Sequence, residues 1–418
     1  MRDPTSDDPA LTITLAKMYF AEQRYQAVVD VLTQNDLNGK NPSLYWQLLG
    51  QSYIAIKDYP NAFDTFKRWL DKEPNNADAL LSNISALEAS GKLPKAIELI
   101  DQYQSKQGKI PTFELIRIGL LLKNNNISTA KQGYEKLPIE LTKLAITKGY
   151  LGQLQLNEQQ FSQALPNLML AYQDRATTYN AFLIVECLEK LNNSTQAFEF
   201  LTKHNQQTPN NISVLMQLAL MQIINNPSQA ISYYQKALKL NDNNALAHNN
   251  VAFLLAQKGD KTAALTHANK AVKFSPERSA YLDTLGRILL DLNKGEQALK
   301  YLSKAVNNLG DKRDDEIYLN YVEALIAAKQ VKLAKRKLDN YQFTHAAMAK
   351  VEQLKALPLN NGTPKSLNVL FENAINHTPD WQRAQFTLAT KPMDKIAFSL
   401  DTGTGGEPQK RLTVTVDT

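Results

Sequence analysis

The chain has 418 residues, of which 43% are hydrophobic and 21% charged, a balance suited to burying apolar cores. No apolar run approaches the roughly 18–20 residues that a bilayer span needs, and the single cysteine, Cys187, excludes an intramolecular disulfide. The net charge is +6, but beyond residue 330 twelve Lys/Arg face eight Asp/Glu, so the upstream part is nearly neutral and lacks the cationic track of a nucleic-acid binder.

Residues 1–8 read as a polar N-terminal tail. The start is acidic and polar where a secretory leader is basic and then apolar. The expectation is a soluble chain without an export address, cytoplasmic as it stands and periplasmic or envelope-bound if a leader precedes it.

From residue 9 to residue 343 the sequence repeats itself. In one stretch Trp46, Leu49, Gly50 and Tyr53 are followed by Ala62, Phe66 and Pro74. The small residue of that second half recurs as Ala62, Ala96, Ala130, Ala164, Ala197, Ala230, Ala264, Ala298 and Ala334, in steps of 34, 34, 34, 33, 33, 34, 34 and 36, with Ala27 lying 35 before the first. Gly152 and Gly286 match Gly50, while Ala171, Ala237, Ala271 and Ala305 follow their anchor alanines by seven residues. Pro74, Pro209 and Pro276 stand at repeat ends, where proline cannot continue a helix. In the turn around Gly259, the glycine ends one helix and Asp260 caps the next. Two repeats are irregular: the one from Pro111 to Leu144 lacks the aromatic and glycine of its first helix, and another is a residue short.

The spacing from Trp46 to Pro74 resembles the tetratricopeptide repeat, a helix-turn-helix of about 34 residues. The resemblance implies an all-α fold, a right-handed superhelix of about ten repeats over 9–343. Each helical pair buries its apolar stripe only against its neighbours. Within the first helix Trp46, Leu49, Gly50 and Tyr53 share one face, three to four residues apart.

Residues 344–381 read as a degraded eleventh repeat acting as a cap, with a helix ending near Leu357, a turn at Pro358 and Gly362, and repeat-like Ala374 and Pro379. In 382–418 the period changes to two: 385–390, 395–401 and 411–418 alternate apolar and polar residues and predict a small C-terminal antiparallel β appendage. The glycines Gly403, Gly405 and Gly406 lie between two such strands and read as a hairpin connection, since no helix follows to cradle a phosphate.

Catalytic chemistry is not legible. The five histidines, His204, His248, His267, His345 and His377, form no metal-ligating spacing, so no metal, cofactor or catalytic residue is expected and the chain reads as a non-enzyme. His248 takes the place of a repeat-opening aromatic and reads as packed and hydrogen-bonded. Lys332, Lys335 and Arg336 share a face of the last full repeat, a solvated face or a contact for an acidic partner or a lipid surface.

In the tetratricopeptide family the first helices line a concave groove. Applied here, the resemblance places Gln47, Gln51, Tyr150, Gln153, Phe182, Glu186, Gln217, Asn249, Asn250, Phe253, Asp283, Arg287, Asn320 and Glu323 in the groove. Amides, aromatics and balanced charge suit an extended or helical peptide. The carboxylate clamp of chaperone-binding members is not reproduced: only Asn250 fits, and Met216, Leu220, Ala280 and Thr284 occupy the other places. The run from Ala280 to Gly286 is similar to envelope repeat proteins of bacterial exopolysaccharide and PEP-CTERM/exosortase systems. The expected function is therefore a non-catalytic scaffold for a protein or peptide, in envelope or protein-sorting assembly. The alternatives are a cytoplasmic co-chaperone or adaptor, and an enzyme with its site in the C-terminal strands.

Overall fold

The computed structural model describes residues 9–34, 43–357, 384–390, 396–402 and 411–416. The helices fall into two units, divided after Arg175. In the first unit α1 (Pro9–Ala21) pairs with α2 (Tyr25–Gln34), α3 (Ser43–Ala55) with α4 (Tyr59–Lys72), α5 (Ala77–Ala89) with α6 (Leu93–Gln107), and α7 (Pro111–Lys123) with α8 (Ile127–Glu135). The short α9 (Ile139–Thr142) leads into the last pair, α10 (Ala145–Asn157) and α11 (Phe161–Asp174). The second unit pairs α12 (Thr178–Lys190) with α13 (Ser194–Gln207), α14 (Ile212–Gln222) with α15 (Pro227–Leu240), α16 (Ala245–Gln257) with α17 (Lys261–Phe274), α18 (Ser279–Asp291) with α19 (Gly295–Asn307), and α20 (Asp315–Ala327) with α21 (Val331–Asn340). A 3-10 turn, His345–Ala347, then leads to α22 (Met348–Lys355).

Local chemistry sets these boundaries. Asp58, Asn76, Thr177, Asn211, Asn226, Asn244, Asp260 and Asp314 each cap a helix with a side-chain oxygen that accepts a backbone N–H of the first turn. Between first and second helices of nine of the ten hairpins, all but α14–α15, the chain turns through one left-handed residue: Gln23, Lys57, Gly91, Asn125, Gln159, Asn192, Gly259, Asn293 and Lys329 all have positive φ. Only two of these are glycine. The turn is therefore held by the hairpin packing it serves, against the intrinsic cost of that conformation for an L-residue.

The packing follows the repeat. Every anchor alanine from Ala62 to Ala298 has no exposure, and Ala334 has 1%. The series opens differently from the sequence reading. Ala27 is only half-buried, and Val28, which stands 34 before Ala62, is fully buried and takes the anchor place. Gly50 makes room for a large side chain: a Cβ there would lie 2.3 Å from the Phe66 ring. Gly152 meets Leu168 and Gly286 meets Leu302 in the same way. In the irregular α7–α8 hairpin the close approach is arranged differently. Ile118 is fully buried at the glycine place, and Gly133 of α8 leaves space for it, since a Cβ at Gly133 would lie 3.0 Å from the Ile118 side chain.

His248 is buried, and its Nε2 donates to the Asp242 carbonyl at 2.9 Å. Its Nδ1 lies 2.8 Å from Nδ1 of His267. Cys187 has no exposure, and burial pushes its thiol up to about 11, with Glu186 adding to the effect. On α21 Lys332 and Arg336 are exposed and Lys335 is half-buried.

Three strands form an antiparallel sheet in the order β1 (Ala384–Thr390), β2 (Ile396–Thr402), β3 (Arg411–Val416). Ala384 stands opposite Thr402, and Ile396 opposite Val416. The N-terminal tail, the glycines between β2 and β3, and the expected turn at Pro358 and Gly362 with Ala374 and Pro379 lie outside the described residues. Among the described residues no helix is long and apolar enough to cross a membrane.

Candidate partner-binding face

Within the second unit the first helices α18 and α20 stand side by side, and their polar side chains meet. Asn320 of α20 donates from Nδ2 to Asp283 Oδ1 of α18 at 3.0 Å. Arg287, one turn along α18, places Nη1 2.5 Å from Glu323 Oε2 and 3.4 Å from Asn320 Oδ1. Lys350 of α22 closes the chain of charge, its Nζ 2.5 Å from the other oxygen of Glu323. Glu323 is 4% exposed, and a carboxylate so far from water is sustained because both of its oxygens meet cations.

Asp283 is placed differently. Burial pushes its carboxyl up to about 7, and the carboxylates of Glu316 and Asp314 push the same way, while the Asn320 hydrogen bond and Arg287 oppose them. On α12, burial likewise raises the Glu186 carboxyl to about 7, with Lys190 pulling weakly down. On α16, Asn249 and Phe253 lie one turn apart. The amide nitrogen of Asn249 donates weakly to Asn250 Oδ1 at 3.4 Å, and its oxygen is buried without a hydrogen-bond partner. Phe253 is 37% exposed, a large apolar ring left beside that amide.

These positions correct part of the sequence reading. Asn250, expected to face the groove, is buried and donates from Nδ2 to the Tyr234 hydroxyl of α15 at 2.9 Å, so its amide is used inside the hairpin stack. Asn320 and Glu323, also expected to be accessible, are buried because α18 and α22 cover the flank on which they stand. In the first unit Gln153 is buried too, and Tyr150 packs over the first helix of the preceding hairpin, its hydroxyl lying where a side chain at Gly119 would begin. The physical reason is common to all. A residue one step round from the core stripe faces either the groove or the adjacent first helix, and spacing alone does not distinguish the two. Gln51 and Phe253 are exposed, and Gln47, Phe182, Glu186, Gln217, Asn249, Asp283 and Arg287 are half-buried.

The sequence reading missed Lys350. It follows Glu323 by 27 residues, outside the 33–36 register, because the connection after α21 is short, so no periodic signal marks it. Among the described residues no three His, Cys, Asp or Glu side chains gather in a way that holds a metal ion.

Residues 45–109 match a tetratricopeptide-repeat profile, and residues 123–316 match that of the ChAPs, the Chs5p-Arf1p-binding proteins. The Protein CTR9 homolog of Arabidopsis thaliana is 22% identical over 311 residues, which are 68% of this chain and 27% of that protein. The chain thus spans about a quarter of the length of the curated relative it matches. Among solved structures, yeast Tom70 aligns with a TM-score of 0.39 and 15% identity over 88% of this chain and 99% of that one. MamA aligns with a TM-score of 0.34 and 19% identity over 37% of this chain and 95% of that one. Anchor residues buried at steps of 33 to 36, helical hairpins in register with them and the profile match make this an array of tetratricopeptide-type repeats.

Proposed function

We propose that the chain is a non-catalytic scaffold that holds a protein segment against the first helices of its second unit. The observation that carries this reading is the exposed ring of Phe253 on α16, one turn from the half-buried Asn249. The ring offers apolar surface that side chains of an extended segment can cover. The half-buried Asp283 carboxyl on the neighbouring first helix α18, and Glu186 further along on α12, favour a segment that brings basic or hydrogen-bond-donating groups. The profile match to proteins named for binding Chs5p and Arf1p supports a protein as the class of ligand.

The finer placement in bacterial envelope assembly rests on the run from Ala280 to Gly286. Tyr281, Leu282, Leu285 and Gly286 are all core residues, so packing alone accounts for them and the run carries no weight for a pathway. A site in the C-terminal strands would use side chains outside those described.

The test is affinity capture from native extract with wild type, Asn249→Ala/Phe253→Ala, and a control, Lys332→Ala/Arg336→Ala. A partner retained by wild type and control but lost from the α16 variant, with unchanged helical content, supports the reading. Equal capture by all three refutes it.

A further inference from the structure

The irregular hairpin of the first unit holds a polar cavity where its relatives hold a plug. The places of Trp46, Leu49 and Gly50 fall 68 residues on at Glu114, Arg117 and Ile118. Trp46 and Leu49 are buried core residues of their own hairpin. At the equivalent point between α6, α7 and α8 lies an open cavity of about 380 Å³, and every residue lining it is polar or glycine. That size falls within the roughly 300–1,000 Å³ of small-molecule sites.

Its floor carries two carboxylates bridged by one guanidinium. Arg117 Nε lies 2.6 Å from Asp101 Oδ1, and Arg117 Nη1 lies 3.3 Å from Glu114 Oε1. Both carboxylates of the cavity are therefore occupied by one guanidinium. Gly133 keeps the floor open, since a Cβ there would lie 2.8 Å from Glu114 Oε1. At the rim Lys109 and Lys136 are exposed and, among the described residues, have no ion-pair partner. The hydroxyls of Ser105 and Thr129 stand with them. With three cations against two carboxylates the lining is positive by one charge, and the groups beside the lysines suit hydroxyls.

We propose that this cavity binds a small hydroxylated dianion, a phosphate monoester by chemical class, with Lys109 and Lys136 meeting its charge and Ser105 and Thr129 its hydroxyls. The two lysines outweigh the single negative charge that Arg117 leaves on the floor, so the lining as a whole is positive by one charge and favours an anion. This site is independent of the face on the second unit.

The test is calorimetric titration of the full chain with glycerol 3-phosphate at low ionic strength, where exposed charge is least screened. Saturable binding to one site is expected, weakened by roughly tenfold or more in Lys109→Ala/Lys136→Ala. Lys332→Ala/Lys335→Ala on α21 should leave it unchanged. Glu114→Trp/Arg117→Leu, which restores the plug, should abolish binding with helical content intact. The proposal is overturned by no saturable heat up to about 10 mM ligand, by equal loss in the α21 variant, or by binding that survives the plug. A phosphoserine peptide that binds where the free ester does not would assign the cavity to a macromolecule and overturn the small-molecule reading.

Discussion

Asp283 links stability to function most directly. Its carboxyl titrates near 7 in the fold, against roughly 3.9 for an unfolded aspartate. The folded state therefore binds more protons than the unfolded one between those values. Stability from this residue is full below about pH 4 and is lost as pH rises through 7. The ceiling on that loss is about 4 kcal/mol, from roughly three pK units at 1.36 kcal/mol each. Partial solvent access and relaxation toward Arg287 reduce the expected value to about 1–2 kcal/mol. Asp283→Asn keeps an oxygen to accept from Asn320 and removes the charge. It should be more stable than wild type by that amount at pH 8, and equal to it near pH 4. Urea denaturation at both pH values, with hydrogen exchange to localise the change to α18 and α20, measures this in an array that need not unfold in one step. A variant no more stable than wild type at pH 8 would show that the carboxylate is a required partner of Arg287 and sink the reasoning. If the carboxyl is kept at this cost for a partner, the same variant should also capture less of it.

Two other perturbations test the packing and the histidine pair. Gly50→Ala gains about 1 kcal/mol of helix propensity, but its Cβ would meet the fully buried Phe66 ring at 2.3 Å. Overpacking costs about 1–3 kcal/mol, so the variant should melt lower, and a higher melting temperature would contradict the assigned contact. The Asp242 carbonyl only accepts, so neutral His248 carries its proton on Nε2, and its Nδ1 accepts from His267 Nδ1. Burial lowers both imidazole pKa values; Lys270 adds to the lowering at both, and His248 adds to it at His267, while Asp242 opposes. Stability from the pair is present above about pH 6.5 and lost as pH falls. His267→Asn, which retains a donor at the Nδ1 place, should flatten the acid limb of the melting temperature against pH. An unchanged limb would remove the pair from the account.

Much of this was legible because repeats multiply a weak signal. One Trp-Leu-Gly pattern is ambiguous, but nine anchor alanines in register over eight steps leave only stacked helical hairpins as a way to bury them all. Even the error at Ala27 was one residue, and the buried Val28 restores the period. The face was less legible. The sequence named Asp283, Arg287, Asn320 and Glu323 without pairing them, placed Asn250 on the wrong side of its helix, and did not foresee Lys350.

The sequence by itself determined the class of fold, the length of the repeat and the residues of the core, because those depend on periodicity within each helix and on the small side chains that let helices approach. Tertiary structure alone decided which polar residues are spent and which are left over. Whether Asn250 meets Tyr234 or Glu323 meets two cations depends on the flanks presented by the neighbouring helices, a rotation of a few tens of degrees that no spacing of residues encodes. The same holds for the cavity beside Arg117. The sequence showed that the signature residues are missing there, and only the packed helices show that their absence leaves a space with charge at its rim.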